Sequence, residues 1–319
     1  MKKLLILLAF TAGIANAQPY PTKPVRMILG FAPGGPTDVI ARVVAQDMSA
    51  TLGHGVVVEN KTGANSLIAT QEVKRAAPDG YTLLATTLAH NVNPILMGDK
   101  AQYDPIKDFA PVSLVAVLPL VVVTKPDSPF NSLQDVIKTA KSKPAEVSYG
   151  SAGNGGSAHL AAALLETLSK TRMTHVPFRG NAPALTEVMA GRVSFMFYPM
   201  VGIADQVAQK RLKVLAITTP KRHPDFPSAP TTAEAGFPGF DEYTPGVGVV
   251  APAGTPAPVI NRLNEAIRVS LAKPETRERL RALGATTEGG SSPAEFESYL
   301  KMDRDRWARV IKAAGVKAE

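Results

Sequence analysis

The segment VRMILGFAPGGPTDVIARVVAQDMSATLG, residues 25–53, joins an apolar run, a glycine-rich turn and an amphipathic pattern in direct succession. The apolar run, Val25 to Phe31, predicts a buried strand. Apolar side chains then recur at helical spacing from Thr37 to Leu52, and Gly53 ends the pattern. A strand that leads through a short turn into a helix is the repeating unit of an α/β fold.

The same alternation of strand and helix patterns extends along most of the chain. Helices are predicted to start near Ser157 and near Asn181, and Ser292-Pro293-Ala294-Glu295 matches the capping box of a long helix that ends at Gly315. The expected class is α/β, with mixed, mostly parallel sheets and flanking helices. The further predicted strands are Val56 to Glu59, Thr82 to Thr86, Leu114 to Val123, Val147 to Tyr149, Met173 to Val176, Val193 to Tyr198, Val214 to Thr218 and Gly246 to Ala251.

Two regions rich in turn-forming residues, Val123 to Phe130 and Pro220 to Pro245, flank the middle of the chain. They predict an inserted central domain of residues 123–240, with residues 18–122 and 241–319 together forming the other domain. The chain would then cross twice between two lobes, and a two-crossing hinge over a cleft is typical of proteins that close around a ligand. A mature length of about 300 residues agrees with two domains.

The N-terminus has the pattern of a secretory signal peptide, residues 1–17. Lys2 and Lys3 precede the apolar run Leu4 to Phe10, and Ala15-Asn16-Ala17 is a cleavage site of small residues. The apolar run is far shorter than the about 20 residues that a membrane-spanning helix requires. Cleavage would release a soluble protein that begins at Gln18.

The composition argues against several classes of site. The chain has no cysteine, which rules out thiol catalysis and thiolate metal ligands, and its five histidines are isolated, so no metal or cofactor is expected. The formal charge of +8 is spread over many segments without interleaved aromatic residues. A solvated basic surface is therefore favoured over a nucleic-acid interface.

Two glycine-rich loops are the candidate binding elements. Phe31-Ala32-Pro33-Gly34-Gly35-Pro36-Thr37-Asp38 joins the first strand to the first helix. Taken alone, this loop is equally compatible with an anion site at a helix N-terminus and with an ordinary capped turn. Gly150-Ser151-Ala152-Gly153-Asn154-Gly155-Gly156-Ser157 repeats the arrangement in the other predicted domain. Two such loops facing one cleft favour capture of a carboxylate or phosphate.

Several motifs along the mature chain resemble the Bug receptors of tripartite tricarboxylate transporters. They are Pro33-Gly34-Gly35-x-x-Asp38, Val58-Glu59-Asn60-Lys61-x-Gly63-Ala64, Pro78-Asp79-Gly80-Tyr81-Thr82-Leu83-Leu84, Tyr103-Asp104-Pro105-x-Lys107-Asp108-Phe109, Gly153-Asn154-Gly155-x-x-x-His159-Leu160 and Val176-Pro177-Phe178-Arg179-Gly180. The resemblance implies a two-lobed periplasmic binding protein of type II-like fold, which acts as a monomer, binds a small carboxylate and delivers it to membrane components of a transporter.

The resemblance also implies which residues meet the ligand. Backbone groups and ordered waters of the two glycine-rich loops would hold the carboxylate, and side chains from the two lobes would select the acid. The expected ligand-binding residues are Phe31, Pro33, Gly34, Gly35, Pro36, Thr37, Asp38, Thr86, Thr87, Ser151, Gly153, Asn154, Gly155, Gly156, Ser157, Arg179 and Tyr198. Asp38 is favoured as a brace of its loop, because a carboxylate repels an anion. For Arg179, an ion pair with a surface Asp is slightly favoured over pairing with a second carboxylate of the ligand.

The chain departs from the family pattern at two informative places. Tyr198 replaces an acidic residue of the cleft, which disfavours an amino-acid ligand and favours a carboxylate with an uncharged or aromatic tail. Asn65-Ser66 replaces a glycine-rich continuation of the loop that begins at Gly63.

Two other functions remain as alternatives. The chain could be a receptor that signals to a membrane sensor, since signalling needs the same cleft. A hydrolase is less favoured, because no G-x-S-x-G elbow is present and His159 has no identifiable orienting acid.

Overall fold

The computed structural model describes residues 20–317, so the predicted signal peptide lies outside the described residues. The strands in the described part are β1 (Val25–Leu29), β2 (Val56–Asn60), β3 (Thr82–Thr86), β4 (Phe109–Val117), β5 (Leu120–Thr124), β6 (Ser148–Ser151), β7 (Thr174–Pro177), β8 (Met196–Pro199), β9 (Lys213–Ile217) and β10 (Gly246–Pro252). The helices are α1 (Pro36–Leu52), α2 (Leu67–Lys74), α3 (Leu88–Met97), α4 (Leu133–Ser142), α5 (Ser157–Ser169), α6 (Asn181–Met189), α7 (Ile203–Ala208), α8 (Ala257–Ala272), α9 (Pro274–Ala282) and α10 (Pro293–Ala314).

The first lobe is built on a five-stranded sheet in the order β2-β1-β3-β10-β4. β1 pairs in parallel with β2 and β3, whereas β10 is antiparallel to both of its neighbours. Successive side chains of a strand point to opposite faces. Leu83 and Ala85 accordingly pack in the core under α1 and α8, and Leu84 packs in a separate core with Phe296 of α10.

The second lobe contains a three-stranded sheet, β8-β5-β9, and a parallel pair, β6-β7. A bridge between Tyr149 and Phe195 joins the pair to the larger sheet. One continuous core holds this lobe together, and buried aromatic side chains such as Phe195, Phe197 and Phe240 lie within it. The α/β class with mixed sheets and flanking helices is confirmed. The expected predominance of parallel pairs is wrong, because the described strands form three parallel and four antiparallel pairs.

The predicted strand Leu114 to Val123 is wrong as a single strand. β4 ends at Val117 in the first sheet, and β5 begins at Leu120 in the second. Between them stands Pro119, which has no backbone N–H and so interrupts the hydrogen-bond ladder. The chain crosses between the sheets at this point, so the division predicted between residues 122 and 123 falls inside β5.

The C-terminal helix α10 contacts both lobes. Ser292 and Glu295 form the predicted capping box, and Gly315 ends the helix in the left-handed conformation. A small core joins the first lobe to the second through the helix: Leu88 and Val92 of α3 and Leu160 of α5 pack around Trp307, which is fully buried. Within residues 20–317, no helix is both long and apolar enough to cross a membrane.

Candidate functional site

A cleft between the lobes receives the N-termini of four helices. The N-cap residues Gly35 of α1, Thr87 of α3, Gly156 of α5 and Gly180 of α6 all line the same cavity, which offers about 640 Å³ of space including its open mouth. The three glycines have no side chain to cap the first turn of their helices, so N–H groups there remain open to a ligand. Among the side chains that the structure describes, none that lines this cavity is charged. Converging helix N-termini favour an anion at their focus.

Asp38 holds the first glycine-rich loop in place from behind. Its buried carboxylate accepts hydrogen bonds from the Gly34 N–H at 3.0 Å, from Arg42 Nε at 3.0 Å and from Asn60 Nδ2 at 2.9 Å. Asn60 Nδ2 also donates to the carbonyl oxygen of Phe31 at 2.9 Å. Burial opposes ionisation of Asp38, but these hydrogen bonds outweigh it and hold its pKa below the ordinary value.

Two stacked histidines support the second glycine-rich loop. The rings of His159 and His175 lie 3.8 Å apart and nearly parallel. His159 Nδ1 accepts the Gly155 N–H at 3.0 Å, and His175 Nε2 lies 2.6 Å from the Ser151 hydroxyl. Each ring therefore fixes one end of the loop that leads into α5.

Both histidines are neutral at neutral pH. Burial, and secondarily the neighbouring His175, lowers the pKa of His159 to about 3. Burial alone lowers the pKa of His175 to about 4. An uncharged His159 with a bare Nδ1 is the form that can accept the Gly155 N–H, so the protonation state and the loop geometry agree.

A third loop, residues 63–66, meets the cleft from the first lobe. Ala64, Asn65 and Ser66 have positive φ angles of 44°, 50° and 70°. Three successive non-glycine residues in the left-handed region are uncommon, and each costs about 1 kcal/mol or more. The Ser66 side chain packs directly over Gly30, where a methyl group would lie 1.9 Å from its Oγ. Asn65 is thereby turned toward the cavity, which it lines.

A second, wider cavity continues from the first, with Phe31, Asn65 and Ala152 lining both. Arg179 lines this outer cavity, and its side chain is largely exposed. The ion pair with a surface aspartate that its sequence context also allowed is not formed among the described residues. Arg179 is therefore a cation at the outer end of the cleft.

The structure brings most of the expected ligand-binding residues to these two cavities. Those that line them are Phe31, Gly35, Pro36, Thr37, Thr87, Gly153, Asn154, Gly156, Ser157 and Arg179. Those that line neither cavity are Pro33, Gly34, Asp38, Thr86, Ser151, Gly155 and Tyr198. Asp38 and Ser151 lie buried behind the loops that they support.

Thr86 and Tyr198 lie outside the two cavities for different reasons. Thr86 is buried at the end of β3, and its hydroxyl faces a small cavity behind the cleft. Tyr198 lies in β8 opposite Val121 and is 5 % exposed within the second core. Its neighbour Pro199 lines the cleft, and alternation along the strand turns Tyr198 to the other face. Burial raises the pKa of Tyr198 to about 12, so the phenol stays protonated.

Sequence reasoning missed several cleft residues. Gly180, Asn181 and Ala182 at the start of α6 line the inner cavity, as do Leu118 and Pro245 at the lobe crossings. The signal for α6 was available, because strand β7, then Gly180, then a helix repeats the arrangement of the two recognised loops. The turn-rich region Pro220 to Pro245 ends at the returning crossing, whereas no comparable signal identifies the outgoing crossing at Leu118.

The cleft contains few of the side-chain arrangements that catalysis requires. Ser151 and His175 are close enough to form a nucleophile and base pair, but Ser151 is fully buried and hydrogen-bonded to the backbone of Gly153. Among the described residues, no carboxylate hydrogen-bonds either stacked histidine. In the same part of the chain, no three His, Cys, Asp or Glu side chains are grouped to hold a metal ion.

Comparison with known proteins identifies relatives along nearly the whole chain. Residues 40–316 match the family described as tripartite tricarboxylate transporter family receptor. The periplasmic binding protein BugD has a similar structure, with a TM-score of 0.88 and 34% identity over 94% of this chain and 100% of that one.

Two similar structures contain carboxylates. MatC from Rhodopseudomonas palustris, solved with bound malate, is 33% identical with a TM-score of 0.86 over 92% of this chain and 100% of its own. An R. palustris protein solved with adipate is 32% identical, with a TM-score of 0.88 over 93% of this chain and 99% of that one.

Proposed function

The chain belongs to the receptor family of tripartite tricarboxylate transporters, and on that premise we propose that its cleft captures a small carboxylate. The observation that supports the proposal most directly is the convergence of four helix N-termini on one cavity whose described lining side chains are all uncharged. Backbone N–H groups would take the carboxylate oxygens, aided by the positive ends of the helix dipoles. The carboxylates bound by the two R. palustris proteins are consistent with this role.

We further propose the two lobes as the moving parts. Within the described part of the chain, residues 20–118 together with 246–317 form one lobe, and residues 119–245 form the other. Closure would bring the N-termini of α5 and α6 in the second lobe toward those of α1 and α3 in the first. The ligand-binding residues are the ten expected ones that line the cavities, together with Asn65, Gly180, Asn181 and Ala182.

The partners follow from the same family. We propose that the receptor works in the periplasm after removal of residues 1–17, and that it delivers the acid to membrane components of a transporter. A receptor that reports the acid to a membrane sensor would use the same cleft and closure. Uptake of labelled acid by cells that lack the gene separates the two, because only the transport role predicts lost uptake.

The test of the carboxylate site is to remove one N–H from a helix that points at the cleft. Ser157 is the first residue of α5, and Gly156 before it has φ −70° and ψ 162°, a conformation that a following proline accepts. Ser157→Pro should therefore weaken carboxylate binding by about tenfold or more, as expected for one hydrogen bond to a charged group. The free protein should retain its melting temperature.

Two further variants make the experiment specific. Ser157→Ala keeps the N–H and removes only the hydroxyl, and Ala257→Pro places proline at the first residue of α8, away from the cleft. Isothermal titration should find near-normal binding in Ala257→Pro and a loss in Ser157→Pro that exceeds the loss in Ser157→Ala. Equal binding by all three variants, absence of carboxylate binding in the parent, or turnover of an ester would contradict the proposal.

A further inference from the structure

Asn65 presents a buried hydrogen-bond acceptor to the cleft that no group of the described chain satisfies. Its Oδ1 is inaccessible to solvent and has no partner, although the residue lines both cavities. A buried acceptor without a donor is rare in folded proteins and points to a missing partner. No described residue supplies the donor, and the cleft that Asn65 lines can admit a ligand that does.

Hydrogen bonds with Asn93 fix the orientation of the Asn65 side-chain amide. Asn93 Nδ2 donates to the backbone carbonyl of Asn65 at 2.9 Å, which orients the Asn93 amide. Asn93 Oδ1 then faces Asn65 and accepts from Asn65 Nδ2 at 3.2 Å. Exchanging the two ends of the Asn65 side chain would set oxygen against oxygen, so the unpaired atom is the carbonyl oxygen. It requires a donor.

The backbone conformation holds this acceptor in position. Asn65 and its two neighbours keep left-handed conformations, and Ser66 is anchored over Gly30. Strained conformations of this kind persist where the surrounding structure enforces them, and they concentrate at binding sites. The second lobe faces the amide closely, because a methyl group at Gly156 would lie 3.9 Å from Asn65 Oδ1.

We propose that Asn65 is a specificity-determining residue, and that it selects a carboxylate carrying a hydroxyl group. This inference rests on the proposed carboxylate site, since the hydroxyl would belong to the acid held there. Among donors, an ammonium group is disfavoured because none of the described side chains that line the inner cavity is an Asp or Glu. A hydroxyl supplies one donor without added charge.

The second lobe contributes another polar group to the inner cavity. Asn181, the first residue of α6, lines the inner cavity, and its Oδ1 is also buried without a partner. No hydrogen bond fixes the Asn181 amide among the described residues, so it can turn either its oxygen or its nitrogen to the ligand. A hydroxyl between the two asparagines could donate to Asn65 and accept from Asn181.

The experiment compares hydroxy acids with their deoxy analogues. The pairs are lactate and propionate, malate and succinate, citrate and tricarballylate, and mandelate and phenylacetate, each measured by titration calorimetry. The parent protein should bind the hydroxy member of its preferred pair about tenfold or more tightly, as expected when a buried acceptor is satisfied by only one ligand.

Asn65→Gly is the test variant, and Lys170→Gly is its matched control. Both replace a left-handed residue by glycine, which accepts that conformation without strain, so both variants should fold. Lys170, at the end of α5, lines neither cavity. Asn65→Gly should reduce the ratio between hydroxy and deoxy acid to about one while the deoxy acid still binds, and Lys170→Gly should keep the parental ratio.

The outcomes separate this inference from the proposed function. Carboxylate binding with no preference for the hydroxyl in the parent would overturn the role of Asn65 and leave the receptor function intact. An unchanged preference in Asn65→Gly would do the same. Failure of every acid to bind the parent would overturn the proposed function and this inference with it.

Discussion

The backbone N–H of Leu118 donates a hydrogen bond of 2.8 Å to the carbonyl oxygen of Pro245. Leu118 lies on the outgoing crossing between the lobes and Pro245 on the returning one, and both residues line the inner cavity. The two crossings are thus tied to each other beside the cleft. A tied pair of short crossings favours rotation of the lobes as rigid bodies about a single hinge.

The hinge predicts a distance change that can be measured between two labels. The chain has no native cysteine, so cysteines introduced at Val57 and Leu168, both about half exposed, would be the only labelled sites. Val57 lies in β2 of the first lobe and Leu168 in α5 of the second. Pulsed electron spin resonance should find a shorter and narrower distance distribution once carboxylate is added.

A control pair lies within one lobe. Labels at Val57 and Val269, which is in α8 of the first lobe, should keep the same distance with and without the acid. A change in the control pair, or none in the pair that spans the lobes, would argue against closure about this hinge.

Gly155 predicts how closely the lobes can approach. A methyl group there would lie 2.5 Å from Leu96 Cδ1 and 3.1 Å from Val92 Cγ1, both on α3 of the first lobe. Gly155→Ala should therefore prop the cleft open and weaken ligand affinity. Its left-handed φ of 74° adds a cost to folding of about 1 kcal/mol.

Gly202→Ala isolates that folding cost. Gly202 has the same φ of 74°, but a methyl group there would meet no atom within 4 Å. Both variants should lose similar stability in urea, whereas calorimetry should detect weaker binding only in Gly155→Ala. Equal affinities in the two variants would show that the contact between Gly155 and α3 does not limit closure.

The stacked histidines predict that stability falls in acid. In the unfolded chain each histidine takes up a proton near pH 6.5, but in the folded protein His159 and His175 resist protonation until about pH 3 and about pH 4. The unfolded state therefore binds more protons between these limits. The free energy of unfolding should decrease as the pH falls from about 6.5 toward about 4.

His159→Asn tests the assignment, because asparagine can still accept the Gly155 N–H but does not titrate. Urea unfolding at about pH 7 and about pH 5 should find a shallower decline in the variant, by up to about 1.4 kcal/mol per pH unit. Asp303, whose pKa burial raises to about 6, acts in the opposite direction in both proteins and cancels in the comparison. Identical slopes would mean that His159 titrates normally in the folded protein.

The hydrogen bonds of Asp38 predict that its substitution lowers both the stability of the protein and its affinity for carboxylate. Both carboxylate oxygens accept hydrogen bonds, so the amide nitrogen of Asp38→Asn would face a donor. We expect a loss of about 1–3 kcal/mol in the free energy of unfolding and weaker carboxylate binding. Arg42→Ala removes a partly exposed ion pair and the hydrogen bond from Arg42 Nη2 to Asn60 Oδ1. It leaves the bonds from Gly34 and Asn60 to Asp38, so its effect on both quantities should be smaller.

The sequence was most informative where the local pattern matched one structure. α1 was predicted from Thr37 to Leu52 and runs from Pro36 to the same residue, and the capping box at Ser292 occurs as expected. Thr82 to Thr86 was predicted without error at either end. In these segments the helix caps, glycines and apolar spacing agree with the tertiary packing, so local preference was sufficient.

The sequence failed where only tertiary contacts decide the outcome. The run from Leu114 to Val123 is apolar throughout, so it does not reveal that Pro119 separates two strands of different sheets. Met196 to Pro199 is likewise apolar on both faces, and nothing in it tells which side chain meets the cleft. The left-handed turn at Ala64 to Ser66 contradicts the preferences of its residues, because Ser66 is held by packing over Gly30.

The position of β10 sets an order for assembly during synthesis. This strand lies between β3 and β4, and it comes from the late part of the chain, as does α10, which joins α3 to α5. As a nascent polypeptide leaves the ribosome, the edges of β3 and β4 that pair with β10 stay unpaired until residues 246–252 emerge. The strands of the second lobe span residues 120–217, so all of them are synthesised before residues 246–252. The segment made first therefore finishes folding last.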